Sequence, residues 1–349
     1  MATNKLVQAA NDTLEQNRRS VQDIVRTAGD VHARELLQNA ETDLQRRLVV
    51  VERMGPGADS FTATQMRATL VQIQVSIREL TLSMRTAILK HGEESAGVST
   101  EHAVKYMKAA DKAFRGVGVQ PLALREASML SYARKGAESS VLRRLASNGK
   151  PTASRPHPAK VGILQRYGME TVGHFEKILE EGMVQRKSFR EMREELRKSS
   201  PFLQQAPAYW AQRIVRTEVM AAYARGTHEN IHAAHKQLGD IVKILSAVFD
   251  DRTGADSYAV HGQIRRPEEP FEWWDGEYLY PPNRPNDREV VVSHRMRWVI
   301  PEYLQPKEED EIQDAWTRGG RKGSPPETPE NTTVDRDLFG QQVARAPSR

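Results

Sequence analysis

The sequence predicts a mainly α fold, with long helices through the N-terminal two-thirds, a small α+β module towards the C-terminus and a disordered C-terminal tail. Three observations carry that expectation. Apolar residues recur at three- and four-residue spacing from Leu6 to Leu238, the mark of helices with one buried face. From Val248 to Val292 short β-like runs alternate with Asp, Gly, Pro and Asn, the residues that build turns. Beyond Gln305 the chain is charged, rich in Pro, Gly and Thr, and poor in apolar side chains.

Residues 1–54 read as one or two long helices. Leu6, Leu14, Val21, Ile24 and Ala28 form a first stripe, and Leu37, Ala40, Leu44, Leu48 and Val51 a second after Gly29-Asp30. Gly55-Pro56-Gly57 should end it, since both residue types break helices. Thr62 or Thr64 can cap the next helix. Its stripe from Met66 through Ile73, Ile77, Leu80 and Met84 to Ile88 is expected to stop at Gly92. Stripes of this kind are far more often core or partner-helix surface than cofactor sites.

Further helices are expected over 100–115 and from Pro121, a first-turn position, to Ser147. Residues 148–158 (NGKPTASRPHP) read as an extended linker. Helix resumes over 159–182. Ser188 and Glu191 have the spacing of a capping box that opens a short helix to Lys198. A long helix is expected from Pro207 to Leu238, with Gly226 marking a bend.

In the module, strands are expected over 242–249 and 258–264, with a turn over 250–257 and a polar loop over 263–270. Two shorter strands should follow at 277–280 and 289–292. Pro281 to Pro285 should be extended, because proline restricts its neighbours. Lys307 to Asp314 reads as one or two helical turns in the tail, and Asp335 to Phe339 as a short docking motif. The domain reading is a helical docking domain over 1–147, the linker, a helical domain over 159–240, the module over 241–304 and the tail over 305–349.

Composition narrows the function. Hydrophobic residues are 38%, charged residues 28% and aromatics only 6% of the 349 residues. Thin helix pairs that bury surface against partners fit this better than a large dry core. There are no cysteines, which excludes disulfides, thiol catalysis and Cys-based zinc sites. The net charge of +5 permits contact with nucleic acid without demanding it. No window approaches the ~18 apolar residues of a membrane span, and no signal-peptide stretch opens the chain. The expectation is a protein made and used in the cytoplasm, or packed into a particle there.

One stretch carries a resemblance. Arg216-Thr217-Glu218 lies on the last long helix, followed by Asp250-Asp251-Arg252-Thr253, His261-Gly262, Phe271, Pro281-Pro282 and Pro285-Asn286-Asp287-Arg288-Glu289. In that order and spacing they resemble the C-terminal module of the phage Mu F-like head morphogenesis family, the minor head or minor capsid proteins. Asp287 and Glu289 stand where many members have cysteine. The resemblance implies a non-enzymatic protein of the virion interior, assembled in the host cytoplasm. The implied partners are the portal protein, the major capsid or scaffold protein, and non-specific double-stranded DNA. No cofactor, metal or membrane is implied.

Read for chemistry, Asp250, Asp251, Glu218, His261 and His294 are the groups a DNA-processing, metal-dependent hydrolase would use. Their spacing argues little for it, and no phosphate-cradling glycine loop or nucleophile elbow is present. His228 and His232 share a helix face, where a packed pair is the commoner outcome than a metal site. The simpler reading is structural: Asp250, Arg252 and Thr253 form a tight turn whose carboxylate accepts backbone N–H bonds, with Arg216 and Glu218 pairing to it from beneath. Asp287 or Glu289 would then bridge to Arg284, Arg288 or Arg216. Trp273, Trp274, Tyr278 and Tyr280 would hold the module rigid. Arg265 and Arg266, in a loop beside aromatics, are the candidate DNA contacts. A helical scaffold unrelated to phage is the remaining alternative.

Overall fold

The computed structural model describes residues 4–54, 61–115, 122–146, 163–200, 202, 205–250, 253–274, 276–284, 287–320 and 325–326. The expected linker, Pro121, Arg252, Asn286 and the docking motif at 335–339 lie outside them. The helices are α1 (Asn4–Arg26), α2 (Ala33–Arg53), α3 (Ala63–Phe114), α4 (Glu126–Ala146), α5 (Ile163–Val184), α6 (Phe189–Lys198), α7 (Gln205–Leu238), α8 (Ala255–Val260) and α9 (Glu309–Arg318). A six-residue π-helical turn, Thr27–His32, joins α1 to α2. The strands are β1 (Ile241–Ser246), β2 (Ile264–Arg265), β3 (Phe271–Trp273), β4 (Gly276–Tyr278) and β5 (Val290–Arg295).

Both expected caps form. Thr62 accepts from the Gln65 N–H and Ser188 from the Glu191 N–H, each closed by the reciprocal side-chain bond of a capping box. One glycine behaves differently from expectation. α3 runs unbroken for 52 residues through Gly92, where a stop was expected. Its buried face changes there from large apolar residues to Ser95, Ala96 and Ser99, and Ser95 and Ser99 return their hydroxyls to the Gly92 and Ala96 carbonyls. A polar but small face thus extends the helix beyond the apolar stripe. α7 runs unbroken through Gly226. A Cβ there would lie 2.5 Å from Ser99 Oγ and 3.2 Å from Ala96 Cα, so glycine permits the close crossing of α7 on α3.

The helices share a core. Leu44 and Leu48 of α2, Ile73 and Met84 of α3, Phe175 of α5, Phe189 of α6 and Val219 of α7 are all buried in one cluster. Each such side chain contributes about 1.5–3 kcal/mol on burial. The expectation of thin helix pairs without a sizeable core is therefore corrected. Sparse aromatics did not prevent it, because Leu, Ile, Met and Ala stripes on five helices supply the apolar surface. α3 and α4 both pack along α7.

β1 is the centre of a three-stranded antiparallel sheet of order β2-β1-β5, and β3-β4 form a separate hairpin. All six residues of β1 are buried. Val242 and Ile244 join Leu14 and Val21 of α1, Tyr223 of α7 and Trp298. Ile241 and Leu245 point the other way, against Ile231 of α7, Phe271 and Tyr278. Both faces are covered, which is why the IVKIL run is nearly continuous in apolar residues.

Three local expectations in the module are corrected. Residues 255–260 form α8 where a strand was expected from Tyr258. Gly254 is extended just before it, and its carbonyl accepts the Ser257 N–H at 3.0 Å, which starts a helical turn that β-favouring Tyr258 and Val260 then follow. The segment after Tyr280 bends rather than running extended, and its Pro281–Pro282 peptide is cis. The order also reaches further than the expected tail boundary. α9 buries Ile312 and Ala315, and Trp316 meets Trp274 at 5.4 Å between ring centroids. No helix among the described residues is long and apolar enough to cross a membrane.

Candidate functional site

β1 ends at Ser246, and the chain turns at Asp250. The Thr253 N–H donates to the Asp250 carbonyl at 3.0 Å, and the Asp250 N–H donates to Thr253 Oγ1 at 2.9 Å. Thr253 Oγ1 in turn donates to the Val248 carbonyl at 2.6 Å. The turn is thus closed by threonine and backbone. The Asp250 carboxylate also faces Arg288, which donates to its two oxygens at 2.5 and 2.7 Å. This fork raises the Arg288 pKa further above its ordinary value. Two motifs far apart in the chain are brought together here, and Arg252, expected in the same turn, lies outside the described residues.

Arg216 does not pair with that turn. Its guanidinium donates to Asp30 at 3.1 Å and lies 5.3 Å over the Tyr209 ring. The aliphatic part of Arg216 fills the space above Gly29, where a Cβ would meet its Cγ at 2.2 Å. The π-helical turn supplies both the glycine and the aspartate. Thr217 returns its hydroxyl to the Arg213 carbonyl at 2.7 Å, and Glu218 is buried on the same helix. The Arg-Thr-Glu helix therefore docks on the N-terminal helices through its arginine.

His261 is buried, and its Nδ1 accepts the Ala247 N–H at 3.1 Å. A backbone hydrogen bond with Tyr303 engages the ring as well, while burial pushes the pKa down to about 3. The ring is neutral and held by backbone. Gly262 has φ +81°, and a Cβ there would meet Pro306 N at 2.5 Å. The segment that leads into α9 crosses the module at this point.

Asp287 and Glu289 are buried beside Arg284. Arg284 forms an ion pair with Asp256, donates to Ser257 Oγ at 2.5 Å, and lies 3.9 Å from Glu289. Of the three arginines expected to bridge, Arg284 is the one that reaches Glu289. Tyr278 donates its hydroxyl to Glu289 at 3.1 Å, and Asp287 accepts the Asn283 and Glu289 N–H groups at 3.1 and 3.2 Å. Burial raises both carboxyl pKa values above the ordinary range, and for Glu289 the neighbouring Asp287 adds to it. Asn286, between them and Pro282, lies outside the described residues.

Phe271 is fully buried, 5.9 Å from the Tyr278 ring. Arg265 is buried too, its guanidinium donating to the Pro270 carbonyl at 3.2 Å and the Ile264 carbonyl at 2.9 Å. It is therefore not the DNA contact expected of it. As a β2 residue paired to Lys243 it points into the module, and a lone sequence pair of arginines cannot reveal which one a strand turns inward. Arg266 is half-buried, with its backbone N–H on Glu269.

Two features gave no signal in the sequence. Lys243, on β1, is buried with Nζ 2.9 Å from the Leu279 carbonyl and 4.7 Å over the Phe271 ring, and burial lowers its pKa to about 7. It was hidden inside an apolar strand. Asp30 was read as part of a helix break. His228 and His232 do share a face, 3.1 Å apart at Nε2, and His228 packs on Tyr280 at 5.1 Å, the packed-pair outcome. Among the described residues no three His, Asp or Glu side chains are placed to hold a metal ion.

The arrangement defines a mainly helical protein closed by a small α+β module whose scattered motifs lock to one another and to the helices. Residues 173–292 match the family described as Phage Mu protein F like protein. The family points to phage head morphogenesis. No curated protein and no solved structure matches the chain.

Proposed function

We propose that this chain is a minor head protein of phage capsid assembly that acts by binding and positioning. It docks on the portal protein or the inner capsid wall, next to the major capsid or scaffold protein, and touches packaged DNA without sequence preference. It is assembled in the host cytoplasm and stays in the virion interior. The observation that carries this reading is the family match over 173–292, a stretch that contains the Asp250–Arg288 lock. The groups a hydrolase would need speak for a structural role: the Asp250 carboxylate is held by a guanidinium, and both backbone bonds to His261 fix a neutral ring.

The docking surface lies on the helices. Val71 and Leu82 of α3 and Met169 of α5 are exposed large apolar residues, more than half accessible. The test is co-expression with the cognate portal protein, read by size exclusion with light scattering. A complex of fixed stoichiometry, weakened by Val71→Glu and Leu82→Glu, supports portal docking. A well-behaved free monomer beside an unmodified portal ring overturns it. In that event metal-dependent nuclease assays on Asp250→Ala and His261→Ala decide whether the chain is an enzyme.

A further inference from the structure

An open groove of about 660 Å³ runs between α1 and α3 beside the π-helical turn. That is within the range of ligand-binding clefts. Its floor is a pair of imidazoles. His32 Nδ1 lies 2.6 Å from His91 Nε2, with ring centroids 4.7 Å apart and planes 21° apart, so the rings meet edge to edge. The other nitrogen of His91, Nδ1, lies 3.0 Å from Glu94. A carboxylate accepts only, so His91 Nδ1 carries the proton and its Nε2 accepts from His32. This chain ties the π-helical turn to α3 and fixes the width of the groove.

The charges lining the groove are unequally engaged. Asp23 accepts from Arg26 at 3.1 Å, and Glu94 is held by His91. Both carboxylates therefore have partners within the protein. Arg19 from the α1 wall and Lys90 from the α3 wall have no ion pair among the described residues. Ser20, one residue along from Arg19, adds a hydroxyl to the same wall. Two cations on opposite walls of a preformed gap, neither of them held by a carboxylate, favour an anion that presents oxygens to both sides. A guanidinium binds two oxygens as a fork, an ammonium binds as a point charge, and a tetrahedral phosphate can offer oxygens to each at once.

We propose that the α1–α3 groove is an anion site that takes a phosphate group between Arg19 and Lys90. It rests on the DNA-contact part of the proposed function and gives that contact a location that buried Arg265 cannot provide. Portal docking is read by a different experiment, so either can fail without the other.

The test uses the full chain with the Arg19→Ala/Lys90→Ala double variant, and Arg19→Gln/Lys90→Gln as a second variant that removes the charges but keeps polar side chains. Both residues are exposed, and unchanged melting temperatures establish that the variants fold. Binding of a short DNA duplex is followed by fluorescence anisotropy across salt concentrations, and binding of inorganic phosphate by calorimetry. The expected result is weaker duplex binding and a log–log salt slope shallower by about 1.8, the loss of two phosphate contacts. Loss of inorganic phosphate binding with an unchanged duplex slope supports the site with a small phosphate ester as its source. Duplex and phosphate binding that are both unchanged in both variants overturn the proposal.

Discussion

Asp250 and Arg288 are joined by two parallel hydrogen bonds, 2.5 and 2.7 Å long, across 38 residues of sequence. The pair closes the module: Asp250 follows β1 and Arg288 precedes β5, the strand that pairs with β1 along its whole length. The fork therefore fixes the ends of two adjacent strands from outside the sheet.

Arg288→Ala should lower unfolding stability by about 1–2 kcal/mol, since the pair is charge-assisted but a quarter to a third exposed. Arg288→Lys should recover little of that loss, because an ammonium cannot fork across both oxygens. Urea unfolding of Arg288→Ala, Asp250→Asn and the double variant completes a thermodynamic cycle. A coupling energy near zero would show that the two residues are neighbours without being a lock.

Gly262→Ala tests the crossing of the segment before α9. The positive φ alone strains any other residue, and the added methyl would sit 2.5 Å from Pro306 N. The expected cost is about 2 kcal/mol or more, with faster hydrogen exchange through α9 than in the wild type. An alanine at an exposed site away from α9, such as Val50→Ala on α2, should leave that exchange much less changed. Equal exchange in the two variants would remove the special role of Gly262.

How much of this was legible in the sequence depends on which force set each feature. Apolar periodicity exposed the helices and β1, because burial on one face or both leaves a pattern in the chain itself. The caps at Thr62 and Ser188 were legible because their bonds span three residues. α8 was misread because Tyr258 and Val260 favour strands locally, while a single carbonyl of Gly254 decides for a helix. The motif residues were legible as a set, but their partners were not. Asp250 with Arg288 and Arg216 with Asp30 are pairings across 38 and 186 residues. Nothing in a one-dimensional pattern selects among the many arginines available, and the inward turn of Arg265 depends on strand register.

The buried histidines predict acid sensitivity. Burial lowers the pKa of His102 and His294 to about 4 and of His261 to about 3. Their folded values lie below the unfolded one of about 6.5, so the unfolded chain takes up the extra protons. The stability they carry is fully present above pH 6.5 and is lost as the pH falls towards 4. Each can contribute a slope of up to about 1.4 kcal/mol per pH unit in that window. Urea titrations between pH 7 and 5 should show a steep fall, eased in His294→Phe, where the neighbouring Phe114 and Trp298 rings accept an aromatic replacement. A flat profile would mean that these rings are already charged in the fold.

Glu289 predicts the opposite dependence. Its carboxyl is buried with Asp287, and Arg284 already pairs with Asp256, so two carboxylates share what remains of one cation. Burial raises its folded pKa above the unfolded value. The group's contribution is fully present below the unfolded pKa and is lost as the pH rises through the range up to the folded one. Glu289→Gln removes the titration while leaving an amide oxygen to accept the Tyr278 hydroxyl. The variant should therefore equal the wild type near pH 4 and exceed it increasingly towards pH 8, because the wild type alone must keep or expel a proton. A glutamine in the same place also relieves repulsion from Asp287, so the gain should shrink in an Asp287→Asn background without vanishing, because burial is the larger cause. Parallel stability curves for wild type and Glu289→Gln from pH 5 to 8 would mean that Glu289 is ionised throughout, with Arg284 as a sufficient counter-charge for both carboxylates.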